Sequence, residues 1–411
     1  MTSSSKMAAP MGKHADVPWS SEMTEIRQID EQKGRGVFAK QSFKKGDVIF
    51  KEKPLVCSQF LWNEFYKYLA CEHCMKSLET SQAMASRLSA NPLLVLPHPE
   101  CCEVNKEQQV VCPACQTLYC SKECRDEAFQ QYHQILCMGQ SPADPEHPLA
   151  RLQEMWRNIH FPPETASIML IAKMIATCKQ AQDKDAVISS FSSFRRAAIN
   201  EEQELAHKLL GKQFKDQIDN LLPLLIEALY EESLSQWFTA DGIRSLLALI
   251  GTNSQGVGTS SLSVYVHNCD ALELGEDERH ELDSFIDQLY LDLEQESDTF
   301  LNCEGSALYT LQSCCNHSCT PNAEVTFPEN NAILSMVATE DIQEGEEICT
   351  CYLDECSRGR SRHSRQKYLR ENYLFNCLCP KCQSQCDDPD MTSDDEDDDE
   401  LEDMEDDQSD R

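Results

Sequence analysis

Long apolar runs are missing from this chain of 411 residues. No run reaches the roughly 18 consecutive apolar residues that a membrane helix needs, so we expect no membrane span and no membrane partner. The N-terminal residues show no basic stretch followed by an apolar one, so no secretory signal is visible. We therefore expect a reducing compartment, cytoplasmic and/or nuclear. No strong Lys/Arg cluster marks nuclear import, so the sequence does not separate the two locations.

Basic residues are scarce as well. The chain has 36 Lys and Arg residues against 70 Asp and Glu residues, a net charge of −34. Residues 387–411 hold 16 of the acids and a single arginine. Such a balance disfavours direct contact with nucleic-acid phosphates and suits basic protein substrates such as histone tails or other Lys-rich proteins. The low apolar content of 387–411 predicts disorder. Both solubility and attraction of basic substrates remain open as its role.

The 23 cysteines are abundant and clustered. In a reducing compartment, clustered cysteines indicate metal binding rather than disulfides. Cys178 and Cys269 stand alone in helical patterns and are predicted to be core residues. Eight ligands lie in one block, which is enough for two closed tetrahedral zinc sites. They are Cys71, Cys74, Cys112, Cys115, Cys120, Cys124, His133 and Cys137.

Two features of the cysteine pattern leave alternatives open. Thirty-seven residues separate Cys74 from Cys112, and Cys101 and Cys102 within this gap could compete as ligands. A third group, Cys377, Cys379 and Cys382, supplies only three ligands. An open fourth position is typical of catalytic zinc, whereas a fourth cysteine would make the site structural.

Hydrophobic periodicity changes along the chain. Residues 23–56 alternate around turns, which predicts short strands, and residues 148–250 show helical periodicity. A second amphipathic stretch runs from Asp277 to Ser297, and strand patterns return at Ala323–Phe327 and Ala332–Ala338. We therefore predict an α+β fold, with one β-rich catalytic domain that is interrupted by a zinc finger and by a helical region.

Four short blocks, taken in order, resemble the SET domain of protein-lysine methyltransferases. They are Lys33-Gly-Arg-Gly-Val-Phe-Ala39, Gln312-Ser-Cys-Cys-Asn-His-Ser-Cys-Thr-Pro-Asn322, Gly345-Glu-Glu-Ile-Cys-Thr-Cys-Tyr352 and Cys377-Leu-Cys379-Pro-Lys-Cys382. A SET domain that is split by a zinc module is similar to the SET-and-MYND-domain family. We accordingly divide the chain as follows: disordered leader 1–22, SET N-terminal part 23–70, MYND-type finger with a long internal insertion 71–137, helical insertion 138–300, SET catalytic core 301–355, post-SET zinc segment 356–386 and acidic disordered tail 387–411.

The resemblance implies about three zinc ions and their ligands. In the MYND pattern, Cys71, Cys74, Cys120 and Cys124 hold one ion, and Cys112, Cys115, His133 and Cys137 hold the second. In the post-SET pattern, Cys319 joins Cys377, Cys379 and Cys382, which makes the third site structural.

The resemblance also implies a binding site for the methyl donor S-adenosyl-L-methionine. Asn316 and His317 would hold its amino-acid end. Lys33, Gly34, Arg35 and Gly36 would wrap it, with Asn253 as a further contact, and Phe375 would pack on the adenine.

For the reaction, the resemblance implies Tyr352 and His317 as the catalytic pair, with Tyr352 also next to the donor. Ser313 and Tyr373 would line the lysine channel. Asn253 fits a helix cap equally well. The rival function is a non-catalytic adaptor whose zinc finger binds Pro-rich peptides, and a zinc-dependent nucleic-acid binder is disfavoured by the charge.

Overall fold

The structure, a computed structural model, describes residues 22–30, 33–140, 144–159, 167–194, 214–297 and 301–389, the side chains of 214–216 excepted. The leader predicted for 1–22 and the tail predicted for 387–411 fall almost entirely outside these ranges. The described part combines small sheets, in which most strand pairs are antiparallel, with helices, which confirms the α+β prediction.

The strands form small sheets. One sheet has the order β1-β2-β12-β9, a second β10-β11-β3, a third β4-β8-β7, and β5 pairs with β6. The strands are β1 Thr24–Asp30, β2 Gly34–Ala39, β3 Val48–Glu52, β4 Val56–Gln59, β5 Val110–Val111, β6 Leu118–Tyr119, β7 Ser254–Thr259, β8 Cys303–Leu308, β9 Asn316–His317, β10 Ala323–Thr326, β11 Leu334–Ala338 and β12 Glu347–Thr350.

Helices occupy the two long insertions and the segment after β12. Residues Phe129–His133 form a π-helical turn that continues α2. The helices are α1 Ser81–Leu88, α2 Lys122–Ala128, α3 Pro148–Ile159, α4 Ile168–Gln180, α5 Lys184–Ser192, α6 Phe214–Leu229, α7 Ala240–Asn253, α8 Ser261–Asp270, α9 Glu276–Ser297, α10 Glu355–Gly359, α11 Arg362–Tyr373 and α12 Pro380–Ser384. Among the helices in the described ranges, none combines the length and the apolar character that a bilayer span requires.

The strands predicted for residues 23–56 are confirmed as β1, β2 and β3. The turn before β3 depends on Gly46, whose φ of +90° favours glycine. Asp47 closes this turn because its carboxylate accepts the Lys44 backbone N–H at 2.7 Å. The strands predicted near 323–338 are confirmed as β10 and β11.

The insertion within the zinc finger belongs to a core of its own. Helix α1 packs against α8 and α9, which connect β7 to β8. In α9, Leu282, Ile286, Leu289 and Leu293 are buried against this core, with Phe285 at its edge, as the amphipathic pattern predicted. Cys269 is buried here and Cys178 in the helical core, which confirms both as core residues.

A buried lysine joins the helical insertion to the sheet and to the zinc finger. Lys173 of α4, whose side chain is 4% exposed, donates from Nζ to the carbonyl oxygens of Cys57 and Glu72, both at 2.9 Å. The Glu72 carboxylate lies 2.6 Å from the same nitrogen, and the centre of the Tyr132 ring lies 4.8 Å away. The buried ammonium group of Lys173 therefore connects three parts of the fold, namely α4, β4 and the zinc finger.

Replacing this lysine should loosen that junction. We expect Lys173→Met to lower the free energy of unfolding by about 2–3 kcal/mol, because it leaves the Glu72 carboxylate and two carbonyls without their buried cation. The matched control is Lys51→Met, which breaks a surface pair with Glu329 and should cost less than about 1 kcal/mol. Urea denaturation of the zinc-loaded protein measures both, and equal losses would contradict the role of Lys173.

Candidate functional site

The strand order of the first sheet brings three of the sequence blocks together. Strand β9, with Asn316 and His317, pairs in parallel with Cys349 and Thr350 of β12. On its other edge β12 pairs with β2, which carries the glycine-rich block. Tyr352 follows two residues after β12 ends. Residues about 280 positions apart thus meet at one edge.

Glu347 organises the side of the site where the donor residues were predicted. The Asn316 side-chain amide donates to Glu347 Oε1 at 2.8 Å and to the Arg35 carbonyl at 2.9 Å. Lys33 Nζ donates to the other oxygen of Glu347 at 2.9 Å. Burial alone would lower the pKa of Lys33, but the hydrogen bond and the charge of Glu347 raise it above its usual value. Lys33 therefore stays charged in this position.

Glycine is required in the turn that faces Asn316. A Cβ at Gly36 would lie 2.7 Å from Ile29 Cδ1, 2.9 Å from Glu347 Oε1 and 3.1 Å from the Asn316 amide. Gly34 has a φ of +71°, a conformation that disfavours other residues. Gly36 thus lets this backbone lie against the Asn316 amide, and Gly34 provides the left-handed conformation two residues earlier.

Arg35, which the resemblance places in the turn that wraps the methyl donor, contacts the helical insertion with its side chain. Its guanidinium donates from Nη2 to the carbonyl oxygen of Ser193 at 2.7 Å. The glycine-rich block is thereby tied to the end of α5.

Tyr352 and His317 form a hydrogen-bonded pair. The Tyr352 backbone N–H donates to His317 Nδ1 at 2.9 Å, and the Tyr352 hydroxyl donates to the Cys315 carbonyl at 2.6 Å. Burial raises the pKa of Tyr352, so its phenol is protonated near neutral pH. Burial lowers the pKa of His317 to about 4, so its imidazole is neutral. The pair thus holds a neutral Tyr352 hydroxyl in a fixed orientation, with its proton donated to the Cys315 carbonyl.

Two further aromatic residues surround Tyr352. The ring centres of Tyr352 and Tyr373 lie 4.8 Å apart, and the Phe375 ring stands edge-on to Tyr352 at 6.3 Å. His317 lies 6.1 Å from Phe375. Tyr373 ends α11, and the left-handed Leu374 turns the chain toward Phe375. The rings of His317, Tyr373 and Phe375 thus pack around the Tyr352 ring and form an aromatic enclosure.

A cleft of about 590 Å³ opens next to this enclosure. Tyr352, Tyr373, Ser313 and Asn253 all line it. Asn253 is the last residue of α7, and its amide donates to the Leu249 carbonyl at 2.8 Å. Asn253 therefore bonds back to its own helix and also lies on the cleft wall, and its contact with the methyl donor stays a prediction.

Glu52 holds the loop that carries Ser313 through hydrogen bonds to its backbone. This carboxylate accepts the backbone N–H groups of Leu311 and Gln312, at 2.8 and 2.9 Å. Burial raises the pKa of Glu52 in spite of these bonds. Glu52 therefore supports the wall of the cleft without reaching it.

The ligand atoms of both predicted MYND zinc sites are assembled. In each set the four atoms lie within 4.8 Å of one another. Tetrahedral zinc with Zn–S bonds of about 2.3 Å places its sulfurs about 3.8 Å apart. The Sγ atoms of Cys74 and Cys120 are 3.7 Å apart, and those of Cys112 and Cys137 are 3.9 Å apart. The ligand atoms of both sets therefore have the spacing that a tetrahedral zinc ion requires.

The competing ligands Cys101 and Cys102 take no part in these sets. Cys101 is buried in the core formed by α1, α8 and α9, where its carbonyl accepts the Asn268 amide at 2.7 Å. The insertion between Cys74 and Cys112 carries both cysteines away from the finger, because its apolar residues pack against α8 and α9.

The third zinc set is closed by Cys319. Its sulfur lies 3.9 Å from that of Cys377 and 3.6 Å from that of Cys382, and Cys379 completes the four. His317 Nε2 is 3.3 Å from Cys319 Sγ. This set therefore has no open position within the described residues, and it adjoins the predicted donor site.

The structure thus gathers the predicted residues into two groups that the pairing of β9 with β12 connects. Lys33, Gly36 and Asn316 meet at Glu347, and Ser313 and Tyr373 line the cleft. Glu347 and Glu52 were not recognised from the sequence. Glu347 lay within a quoted block, but its partners on β2 and β9 are visible only when the strands pair.

Comparison with known proteins agrees with this geometry. The SET domain family model matches residues 34–353. Protein-lysine N-trimethyltransferase SMYD5 of Gallus gallus is 61% identical over 372 residues, which cover 90% of this chain and 89% of that protein. SMYD5 of Danio rerio is 57% identical over 394 residues, 95% of each chain, and SMYD5 of Homo sapiens is 60% identical over 370 residues, 90% of this chain and 88% of that protein.

The match spans both blocks at the donor side, the tyrosine at the cleft and the inserted finger, and it extends over nearly the full length of these relatives. The chain belongs to the SET domain family and, within it, to the SMYD5 group of protein-lysine methyltransferases.

Proposed function

We propose that this protein transfers methyl groups from S-adenosyl-L-methionine to lysine side chains of basic proteins, such as histone tails. The observation that carries the proposal is the Tyr352 hydroxyl, fixed at 2.6 Å from the Cys315 carbonyl and next to a cleft that Ser313 and Tyr373 line. The relatives are named trimethyltransferases. We propose that this chain likewise adds up to three methyl groups.

The donor-side residues fit the proposed cofactor. The donor supplies a methyl group on a positively charged sulfur, and its amino-acid end carries an ammonium and a carboxylate. Glu347 and the Asn316 side chain present oxygen acceptors for an ammonium. Lys33 and backbone N–H groups near Gly36 present donors for a carboxylate. Together, these acceptors and donors would hold the zwitterionic amino-acid end of S-adenosyl-L-methionine.

The cleft residues suit a lysine that must lose its proton. A lysine amine has a pKa of about 10.4 in water, and an apolar, desolvated position lowers it. Because the Tyr352 phenol is neutral, it cannot act as a phenolate base. It would instead orient the amine by hydrogen bonding together with the Cys315 carbonyl. The rings of Tyr373 and Phe375 would exclude water and restrict the amine to an in-line approach.

The zinc sites have a structural role in this proposal. The third set joins Cys319, two residues after His317, to Cys377 and Cys379 on either side of Leu378. It thereby holds the aromatic segment with Phe375 against β9. Zinc chemistry at a substrate is not part of the proposed reaction.

The substrate class and the location rest on charge and on cysteine chemistry. A net charge of −34 favours a Lys/Arg-rich substrate. Reduced cysteines arranged for zinc suit the cytoplasm and/or the nucleus, which we propose as the location. Binding of Pro-rich peptides by the finger remains a prediction.

Removal of one hydroxyl tests the reaction. We expect Tyr352→Phe to lower kcat at least about 100-fold with the affinity for the donor almost unchanged, because the hydroxyl is used only at the reacting centre. Rates are measured with labelled donor and a Lys-rich peptide, and donor affinity by calorimetry. Tyr368→Phe on α11 is the control and should retain full activity. A wild-type rate for Tyr352→Phe would refute the assignment.

Removal of one charge tests the donor side. We expect Glu347→Gln to raise the dissociation constant for the donor about 10-fold, since Lys33 loses its counter-charge and Asn316 loses an anionic acceptor. Glu346→Gln, one residue earlier in the chain, serves as the control. Calorimetric titration with the donor compares the three proteins, and an unchanged affinity for Glu347→Gln would show that this network does not position the donor.

Elemental analysis tests the metal sites. The purified protein should carry about three zinc ions, one per ligand set. Cys379→Ser should lose one ion and also bind the donor more weakly, because the third set anchors Phe375. Cys386→Ser, an exposed cysteine outside the sets, should keep three. A zinc content of one or none in the unmodified protein would exclude the arrangement.

A further inference from the structure

A concentration of positive charge lies beside the cleft of this acidic protein. Residues 358–370 contain five arginines and one lysine and no Asp or Glu, whereas the whole chain carries −34. Arg358 lines the cleft together with Tyr373. The folded structure places this basic segment, which includes most of α11, next to the cleft.

Helix α11 displays part of this charge on one face. His363, Lys367 and Arg370 are separated by four and then three residues, so they share a side of the helix. Lys367 and Arg370 are exposed. Arg365 points the other way and is buried, with Nη2 donating to Gln385 Oε1 at 2.7 Å. We call His363, Lys367 and Arg370 the basic face of α11.

The acidic part of the chain begins at this face. The turn after α12 is held to α11 by the bond from Arg365 to Gln385. His363 Nε2 lies 3.4 Å from the carbonyl oxygen of Asp388. Fourteen acidic side chains follow from Asp390 to Asp410. The chain therefore enters its most acidic stretch while in contact with the first residue of the basic face.

We propose that the acidic segment, residues 390–411, docks on the basic face of α11 and neutralises it. Seven consecutive acids, Asp394–Glu400, extend about 23–25 Å, and α11 is about 18 Å long, so the segment can span the face. A short connection also gives an effective concentration in the millimolar range. The acids that flank residues 358–370 in sequence, Asp354, Glu355 and Glu371, number three against the six Arg and Lys residues of that segment.

Docking has a consequence that rests on the proposed function. With the face uncovered, its charges next to the cleft repel a Lys/Arg-rich substrate. With the segment docked, the same rim carries excess negative charge and attracts such a substrate. An acidic segment that pairs with its own helix would thus prepare the cleft for basic proteins.

Zero-length carbodiimide cross-linking of the full chain tests the docking itself, without reference to methyl transfer. Lys367 on the face and Lys381, whose Nζ donates to the Arg358 carbonyl at 3.1 Å, should cross-link to acids in 390–411. The exposed control lysines Lys106 and Lys122, on the zinc finger and its insertion, should not. Peptide mapping by mass spectrometry gives the yields.

Matched variants sharpen the test. Arg370→Glu should reduce the Lys367 cross-links at least about 5-fold, whereas Lys122→Glu should leave them unchanged. About 1 M salt should also reduce them, because screening then shortens to about 3 Å. Cross-links spread equally over Lys367, Lys106 and Lys122, or absent altogether, would overturn the proposal. A further variant replaces the acids at 394–400 with the corresponding amides. The proposal would also be overturned if a short single-stranded oligonucleotide bound the basic face of this variant and of the unmodified protein with the same affinity.

The variant with amides in place of the acids at 394–400, tested as an enzyme, distinguishes a failure of the docking proposal from a failure of the proposed function. It should show a higher KM for a basic peptide and an unchanged kcat. Specific cross-links in a protein without methyl transfer would leave docking intact and refute the function alone. Active enzyme without the cross-links would refute docking alone.

Discussion

Asn316 and His317 of β9 lie in parallel against Cys349 and Thr350 of β12, and the rest of the site depends on this two-residue pairing. A ladder of this length is weak without support. Its support comes from Asn322, which accepts the Cys349 N–H at 2.8 Å and donates to the Glu347 carbonyl at 2.9 Å. From the same pairing, Glu347 reaches the donor side, and the chain continues from β12 to Tyr352 at the cleft.

The third cysteine set holds the other end of β9. Cys319 follows His317 by two residues, and its partners come from the segment after α11. Phe375 and Tyr373 are therefore held against His317 and Tyr352 by a metal-ligand arrangement that lies outside the cleft. The local apolar core is small, because five residues of this cluster are buried. Metal ligation can hold the aromatic enclosure together where such a core is small.

Buried charges and surface charges are used differently in this protein. Inside, Lys173 and Glu52 each meet backbone groups from distant segments, which fixes how those segments pack. At the surface, one helix with basic residues, α11, lies next to the cleft in a chain whose net charge is −34. The first arrangement sets geometry, because an unpaired buried charge is costly. The second sets the potential that an approaching substrate meets, and it responds to salt.

The sequence by itself determined the chemistry of the site. Ligand spacing was sufficient for the set of Cys112, Cys115, His133 and Cys137, and alternation was sufficient for β1 to β3. The family resemblance of the blocks added Cys319 to the third set and pointed to Asn316, His317 and Tyr352. Spacing could not decide whether Cys101 or Cys102 competes for the first set, because both lie in the long gap between Cys74 and Cys112. Only packing of the finger insertion on α8 and α9 removed Cys101 from the competition.

Tertiary structure alone decided which charged groups meet. Glu347 contacts Lys33, Glu52 contacts Leu311, and Lys173 contacts Cys57, over separations of 314, 259 and 116 residues. Periodicity reports which side of a strand or helix is apolar, and it carries no information on the partner across such distances. Those contacts form when the sheets and insertions pack. Each charged group loses water on burial, and burial is then favourable only next to a partner that forms a hydrogen bond with it or carries the opposite charge.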